Sequence, residues 1–132
     1  MKPFRYERVS DASTAIAMLA QVPEGAFLGG GTNLVDLMKL GVAQPQVLID
    51  VSHLPYNRVE LLSDGSVRIG AAVRNSDLAA DRTIRSRYPM LAQALLAGAS
   101  GQLRNMATTG GNLFAAYALR LFPGYLQALQ QA

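Results

Sequence analysis

The sequence predicts an α+β fold, two small parts of one domain, on three observations. Short apolar strands alternate with amphipathic helices from Tyr6 to Val51. A hairpin signal and then a run of helices follow from Arg58 onward, and two glycine-rich stretches, Gly29 to Gly31 and Gly110 to Gly111, punctuate the order. No internal repeat or low-complexity linker separates the two parts.

The first part reads β-α-β-α-β. Tyr6 to Val9 is a short strand, and Ser10 or Asp11 caps a helix whose apolar positions Ala12, Ala15, Ile16, Met18, Leu19 and Val22 keep helical spacing. Pro23-Glu24-Gly25 ends that helix and leads into the strand Ala26 to Leu28. A second helix carries Leu34, Leu37, Met38 and Leu40 on one face, and Gly41 stands where a C-terminal glycine belongs. Gln46 to Val51, with VLID at its centre, is a third and buried strand. These connections are long enough for parallel crossovers.

The second part opens on strands Arg58 to Leu62 and Ser66 to Ala72 around the turn Ser63-Asp64-Gly65. Ser76 is expected to cap a short helix through Ala80. Helices are expected over Thr83 to Arg87 and Pro89 to Ala97, with Gly98 and Gly101 ending the second.

Composition narrows the function classes. At 132 residues the chain supports one core and is short for two independent ones. Half of it is hydrophobic and 16% charged, as in a soluble globular domain. A net charge of +3 is too mild and scattered to argue for nucleic acid. Arg82, Arg85 and Arg87 are the densest basic group, without interleaved aromatics, and read as a solvated helix face. The absence of cysteine excludes disulfides and thiolate ligands. No apolar run reads as a membrane span, and Met1 to Arg5 lacks the apolar core of a signal peptide. The default compartment is the cytoplasm, from which a partner subunit could carry the chain to the periplasm.

Ala26 to Leu40, AFLGGGTNLVDLMKL, organises the chain. Three consecutive glycines, Gly29, Gly30 and Gly31, form a turn free to take positive φ and to aim several N–H groups at one spot, with Thr32 or Asn33 as helix N-cap. Such a nest suits an anion, most often a phosphate. A tight strand-to-helix connection without ligand is the other reading, and the glycines alone do not separate the two. No Gly-Lys-Ser/Thr follows, and a third glycine is missing where the dinucleotide fingerprint requires one. A second cluster, GQLRNMATTGGNL from Gly101 to Leu113, is expected to expose further backbone amides at Thr108, Thr109, Gly110 and Gly111, beside two hydroxyls and the Asn112 amide. Arg104 is read as a structural residue tied to backbone carbonyls. One extended ligand lying between both clusters accounts for them together.

FLGGGTNLVDLMK and GASGQLRNMATTGGNL resemble the paired signatures of the FAD-binding subunit of molybdenum hydroxylases, the aldehyde and xanthine dehydrogenase family. FRYERVSDASTAIAMLA, VLIDV and VRIGAAVRNSDLAAD follow the same pattern in order, so the resemblance runs from Met1 to about Leu113. The flavin subunit of bacterial periplasmic aldehyde oxidoreductase is the nearest likeness, ahead of the xanthine and carbon monoxide dehydrogenase flavoproteins. The resemblance implies the two-lobed FAD-binding fold of the vanillyl-alcohol-oxidase/PCMH type, truncated in the second lobe. Residues 1–54 would be the N-terminal FAD-binding lobe, 55–113 the start of the second, and 114–132 an atypical tail. It implies FAD as cofactor, held by Phe27, Leu28, Gly29, Gly30, Gly31, Thr32, Asn33 and Leu34 around the pyrophosphate, and by Thr108, Thr109, Gly110, Gly111 and Asn112 from the other lobe. It also implies a molybdopterin-binding large subunit and a 2Fe-2S small subunit as partners, with electrons passing from iron–sulfur clusters through the flavin to an external acceptor. No catalytic acid or base is implied, because the redox chemistry belongs to the cofactor.

The sequence departs from that family after Leu113. Nearest members continue with a polar, cysteine-containing segment that ligates an extra iron–sulfur cluster, then with the rest of the flavin lobe and a C-terminal domain. Here the chain reads FAAYALRLFPGYLQALQQA. A shifted frame or truncated gene would produce such a tail; a closing helix over Ala115 to Leu121 is the competing reading. Phe114, Tyr117, Leu121, Leu126 and Leu129 are expected to leave an apolar patch that weakens FAD retention and favours association.

Other candidates reduce to structure. His53, the only histidine, has no second ligand nearby and reads as a turn residue, so no metal site is expected. Asp36 reads as a first-turn carboxylate of the glycine helix. No serine, histidine and aspartate set supports hydrolysis. Two alternatives to the electron-transfer module remain: a stand-alone flavin reductase of the same fold, which needs a substrate domain, and a non-catalytic fragment that binds no flavin.

Overall fold

The computed structural model describes the backbone of residues 1–121 and the side-chain environment of residues 1–115. Strand β1 (Arg5–Arg8), helix α1 (Ala12–Gln21), β2 (Gly25–Leu28), α2 (Leu34–Lys39) and β3 (Val47–Asp50) follow the expected β-α-β-α-β order. The three strands form one parallel sheet in the order β1-β3-β2, with both Arg5 and Gly25 paired to Val47. As the middle strand, β3 is covered on both faces, and all four of its residues are buried. This is why VLID is an unbroken apolar run closed by one carboxylate rather than an alternating one. Val9, Ala15, Val47, Ile49 and Leu54 form the core beneath it, with Met18, Leu19 and Val22 of the α1 side packed against them. Asp11 caps α1 through its carboxylate, which accepts from the Thr14 amide at 2.8 Å.

A separate two-stranded antiparallel sheet, β4 (Val59–Leu61) and β5 (Val67–Ile69), opens the second part. Gly65 takes φ +83° in its turn, which a side-chain-bearing residue rarely adopts. Helices α3 (Asn75–Ala80), α4 (Arg82–Arg87), α5 (Pro89–Ala97), α6 (Gly101–Met106) and α7 (Thr109–Leu121) follow. Val73, Leu78, Ile84 and Ala92 make a second core cluster, packed against Val59, Val67, Ile69 and Leu95. Each part therefore has its own sheet and its own apolar cluster.

Several boundaries differ from the sequence expectation. Strand β1 is shifted by one residue from the expected Tyr6 to Val9, β2 begins one residue earlier at Gly25, and β3, β4 and β5 are shorter than expected. Helix α3 begins at Asn75 with Arg74 as its extended N-cap, so Ser76 lies inside the first turn instead of capping it. The cause is tertiary: Arg74 is held in an antiparallel bridge with Thr108. Asp81 caps α4 by accepting from the Ile84 amide at 3.0 Å, a cap the sequence reading passed over. Gly98 ends α5, but Gly101 opens α6, capped by the Ser100 hydroxyl. Arg82, Arg85 and Arg87 are exposed on α4, as expected, with Arg87 donating to the Gly65 carbonyl at 2.8 Å. The span Ala115 to Leu121 is helical as the end of α7; the remainder of the tail, with Leu126 and Leu129, lies outside the described residues.

Candidate functional site

The glycine turn is built by the ends of two neighbouring strands. The Val51 amide donates to the Leu28 carbonyl at 3.0 Å, which fixes the end of β2 against the end of β3 just before the chain turns. Gly31 takes φ +75°, and its carbonyl accepts from Val35 at 3.0 Å to start α2. Asn33 occupies the N-cap position in helical backbone and makes no side-chain capping hydrogen bond, contrary to the expected Thr32 or Asn33 cap. Among the described residues, the amides of Gly29, Gly30, Gly31 and Thr32 donate to no protein acceptor. They border a cavity of about 510 Å³ that Phe27, Asn33 and Leu34 also line. Consecutive unpaired N–H groups beside an open cavity are the donor set an anion requires.

The second cluster reaches the same cavity by a different means than expected. Thr108, Gly111 and Asn112 line it, but the stretch is no amide-exposing loop. Residues 109–112 are the first turn of α7, and their amides already have acceptors. Thr109 donates to the Val73 carbonyl at 3.0 Å, Gly110 to Ala71 at 2.9 Å, and Asn112 to Thr108 at 3.0 Å. The Gly111 amide donates to the Thr108 hydroxyl oxygen at 3.2 Å. What this cluster presents to the cavity is side chains and a close-packed glycine surface. The Thr109 hydroxyl points back to Val73, and neither Thr109 nor Leu28 borders the cavity. Gly110 borders an adjoining recess of about 300 Å³ together with Tyr56 and Phe114.

The two clusters touch directly. A Cβ built on Gly29 would lie 3.1 Å from the Thr108 hydroxyl oxygen, and one built on Gly30 only 2.0 Å from the Met106 carbonyl oxygen. Arg74 donates to that same Met106 carbonyl. Arg104 is turned away, donating to the carbonyls of Leu96 (3.2 Å), Gly98 (2.9 Å) and Ala99 (2.7 Å), the structural role read from the sequence.

A third space, a cleft of about 540 Å³, opens between α2 and the α5–α6 side, where Leu37 and Leu40 face Leu91, Leu95 and Leu103. Thr32, Asn33, Leu37 and Asn112 line both this cleft and the 510 Å³ cavity, so the two lie side by side across those residues. Asn75 also lines the cleft, is 6% exposed, and has a buried Oδ1 without a hydrogen-bond partner among the described residues. Sequence reasoning missed Asn75 and Tyr56, whose local pattern does not mark them and which reach the site through contacts distant in sequence; it did not single out Leu103 within the second cluster and read Phe114 only as part of an apolar patch.

Among the described residues no lysine or arginine lines any of the three spaces, and Asp36, paired at 3.8 Å with Lys39, is the one charged side chain that does. An anion here would be met by amide dipoles rather than by a cation. His53 lies apart with Nε2 3.9 Å from Asp50 Oδ2, and no cluster of three metal-ligating side chains occurs among the described residues. Burial pushes the Asp50 carboxyl up, but hydrogen bonds from Tyr6 and Ser52 and the nearby His53 bring it below the usual range. No helix among the described residues is long and apolar enough to cross a membrane.

Residues 2–130 match the family described as FAD binding domain in molybdopterin dehydrogenase, beyond the Leu113 limit read from the motifs. The chain is 54% identical over 113 residues to the aldehyde oxidoreductase FAD-binding subunit PaoB of Escherichia coli, covering 86% of this chain and 36% of that protein. It is 36% identical over 111 residues to the carbon monoxide dehydrogenase medium chain of Hydrogenophaga pseudoflava, covering 83% of this chain and 39% of that one. Among solved structures, a carbon monoxide dehydrogenase from the same organism superposes with a TM-score of 0.80 at 35% identity, over 86% of this chain and 40% of the other. Quinoline 2-oxidoreductase from Pseudomonas putida gives a TM-score of 0.78 at 27% identity, over 84% and 40%. The chain thus spans less than half the length of these relatives.

Proposed function

Since the chain belongs to the family of FAD-binding domains in molybdopterin dehydrogenases, we propose that it holds FAD in the trench formed by the three adjoining spaces. The amides of Gly29, Gly30, Gly31 and Thr32 hold the pyrophosphate, with Phe27, Leu28, Asn33 and Leu34 shaping the turn that presents them. Thr108, Gly111 and Asn112 face the same cofactor, while Thr109 and Gly110 hold α7 in place behind them. The cleft between α2 and α5–α6, with its leucines and the amides of Asn33, Asn75 and Asn112, suits the apolar faces and polar edge of a flavin ring. The smaller recess suits adenine.

In this reading the fold is the two-lobed FAD-binding fold, with residues 1–54 as the first lobe, 55–113 as the beginning of the second, and 114–132 as an atypical tail. FAD supplies the electron-transfer chemistry when bound. The chain binds it, orients it and excludes water from one side, with no acid or base of its own. Its place is in an aldehyde- or xanthine-type oxidoreductase, beside a molybdopterin-binding large subunit and a 2Fe-2S small subunit, between iron–sulfur clusters and an external acceptor.

One observation carries the proposal: four consecutive amides without protein acceptors, beside a cavity without charged side chains, among the described residues. Titrating the labelled chain with FAD and with pyrophosphate, followed by amide NMR, tests it. The resonances of Gly29 to Thr32 should move with both, and those of Gly110 and Gly111 much less with pyrophosphate. Unmoved Gly29 to Thr32 amides, in a chain that stays folded, would sink the reading.

A further inference from the structure

Three aromatic side chains share the walls of the 300 Å³ recess: Phe27, Tyr56 and Phe114. They are 38%, 47% and 71% exposed, and Phe27 and Phe114 also border the larger cavity beside the glycine amides. Among the described residues, the polar side chains on the recess are the hydroxyls of Ser52, Tyr56 and Thr108, and no charged side chain lines it. A recess of aromatic faces without charge selects a flat, neutral, heteroaromatic occupant.

Phe114 stands there because α7 is pinned at its start, by the Thr109 and Gly110 amides on the carbonyls of Val73 and Ala71. Its ring makes no contribution to either buried core cluster. Leu113, equally exposed at 71%, lines none of the three spaces. The difference between these neighbours is therefore one of direction: one side chain faces the trench and the other faces away.

We infer that Phe114 and Phe27 close on the adenine ring of the cofactor, so that this chain selects adenine-bearing ligands, FAD and ADP, over FMN. The inference rests on the FAD reading and adds to it a specificity-determining residue outside both glycine motifs. FMN carries one phosphate and no second ring, so it can use the amides and the cleft but not the aromatic recess. Stacking between a base and an aromatic ring tolerates variation in the ring edge, and its loss is read as a fall in affinity for the base-bearing ligand alone.

The test is the affinity of the full 132-residue chain for FAD, ADP and FMN by titration calorimetry, with Phe114→Ala, Phe114→Leu, Phe114→Trp and Leu113→Ala beside the unaltered protein. Phe114→Ala should weaken FAD and ADP by about tenfold or more and leave FMN unchanged. Phe114→Leu keeps most of the volume and should behave like the alanine variant; Phe114→Trp should restore binding, and Leu113→Ala should match the unaltered chain. Melting curves without ligand identify any variant that fails to fold, in which case the leucine variant decides. Equal losses for FMN and FAD, or no loss in either Phe114 variant, would overturn the clamp while leaving FAD binding intact. An unaltered chain that binds neither FAD nor ADP would instead overturn the FAD reading, and the clamp with it.

Discussion

The carbonyl oxygen of Met106 occupies the space a side chain on Gly30 would need, 2.0 Å from the position of its Cβ. Gly30 is therefore required by the contact between the two clusters, before any ligand is considered. Even Gly30→Ala should destabilise the ligand-free chain, by about 1–3 kcal/mol or more, since backbone rather than a pliable side chain must yield. Thermal unfolding without FAD measures this. A Gly30→Ala chain with unchanged ligand-free stability would show that Met106 can move aside at little cost. The larger Gly30→Val should abolish FAD retention, but that result alone would not establish the amide cradle.

Thr108 and Thr109 should separate into a binding and a structural residue. The Thr108 hydroxyl borders the cavity and faces Gly29, whereas that of Thr109 donates to the Val73 carbonyl at 3.2 Å. Thr108→Val is expected to weaken FAD by about 1.5–3 kcal/mol, the range for a hydrogen bond to a charged group. Thr109→Val should leave that affinity within a few tenths of a kcal/mol and lower stability by about 0.5–1.5 kcal/mol. FAD titrations and melting curves on both variants distinguish the roles, and equal losses of affinity would contradict the assignment.

The turn between α5 and α6 contains the one non-glycine residue at positive φ among the described residues, Ala99 at +55°. Arg104 holds it by donating to the three carbonyls of Leu96, Gly98 and Ala99. Ala99→Gly should stabilise the chain by up to about 1 kcal/mol, because the left-handed conformation costs a Cβ-bearing residue roughly that much. Arg104→Met should destabilise it by about 1–3 kcal/mol. Denaturant midpoints give both; a destabilising Ala99→Gly would mean the turn carries no such strain.

Acid should weaken the fold from its N-terminal half. Hydrogen bonds from the Ser13 hydroxyl and from the Thr14 amide and hydroxyl hold Asp11 down to about 2, from an ordinary 3.8. A carboxyl lowered in the folded chain contributes stability above its unfolded value, and loses it as pH falls through the folded one, here between about pH 4 and pH 2. Asp50, also lowered, acts with the same sign. Melting temperature should be flat above about pH 5 and fall below about pH 4. Asp11→Asn, which keeps a capping side chain without the charge, should make that fall shallower. A melting temperature that rises on acidification would be inconsistent with this account.

Features that depend on near neighbours are legible in the residues alone. The run VLID reads as a buried strand, Gly41 and Gly65 mark turns that use positive φ, and Pro89 opens a helix. Two glycine motifs in order were enough to identify the family. Which groups of each motif already have partners depends on long-range packing. GGG and TTGG look alike as text, yet the amides of Gly29 to Gly31 have no protein acceptor among the described residues, while those of Thr109 and Gly110 donate to Val73 and Ala71. The physical reason is that local residue choice governs which conformations a backbone can take, whereas the partner of each N–H is whatever distant carbonyl the packing brings within reach. Gly30 follows the same rule, its missing side chain being set by Met106, a residue no local pattern connects to it.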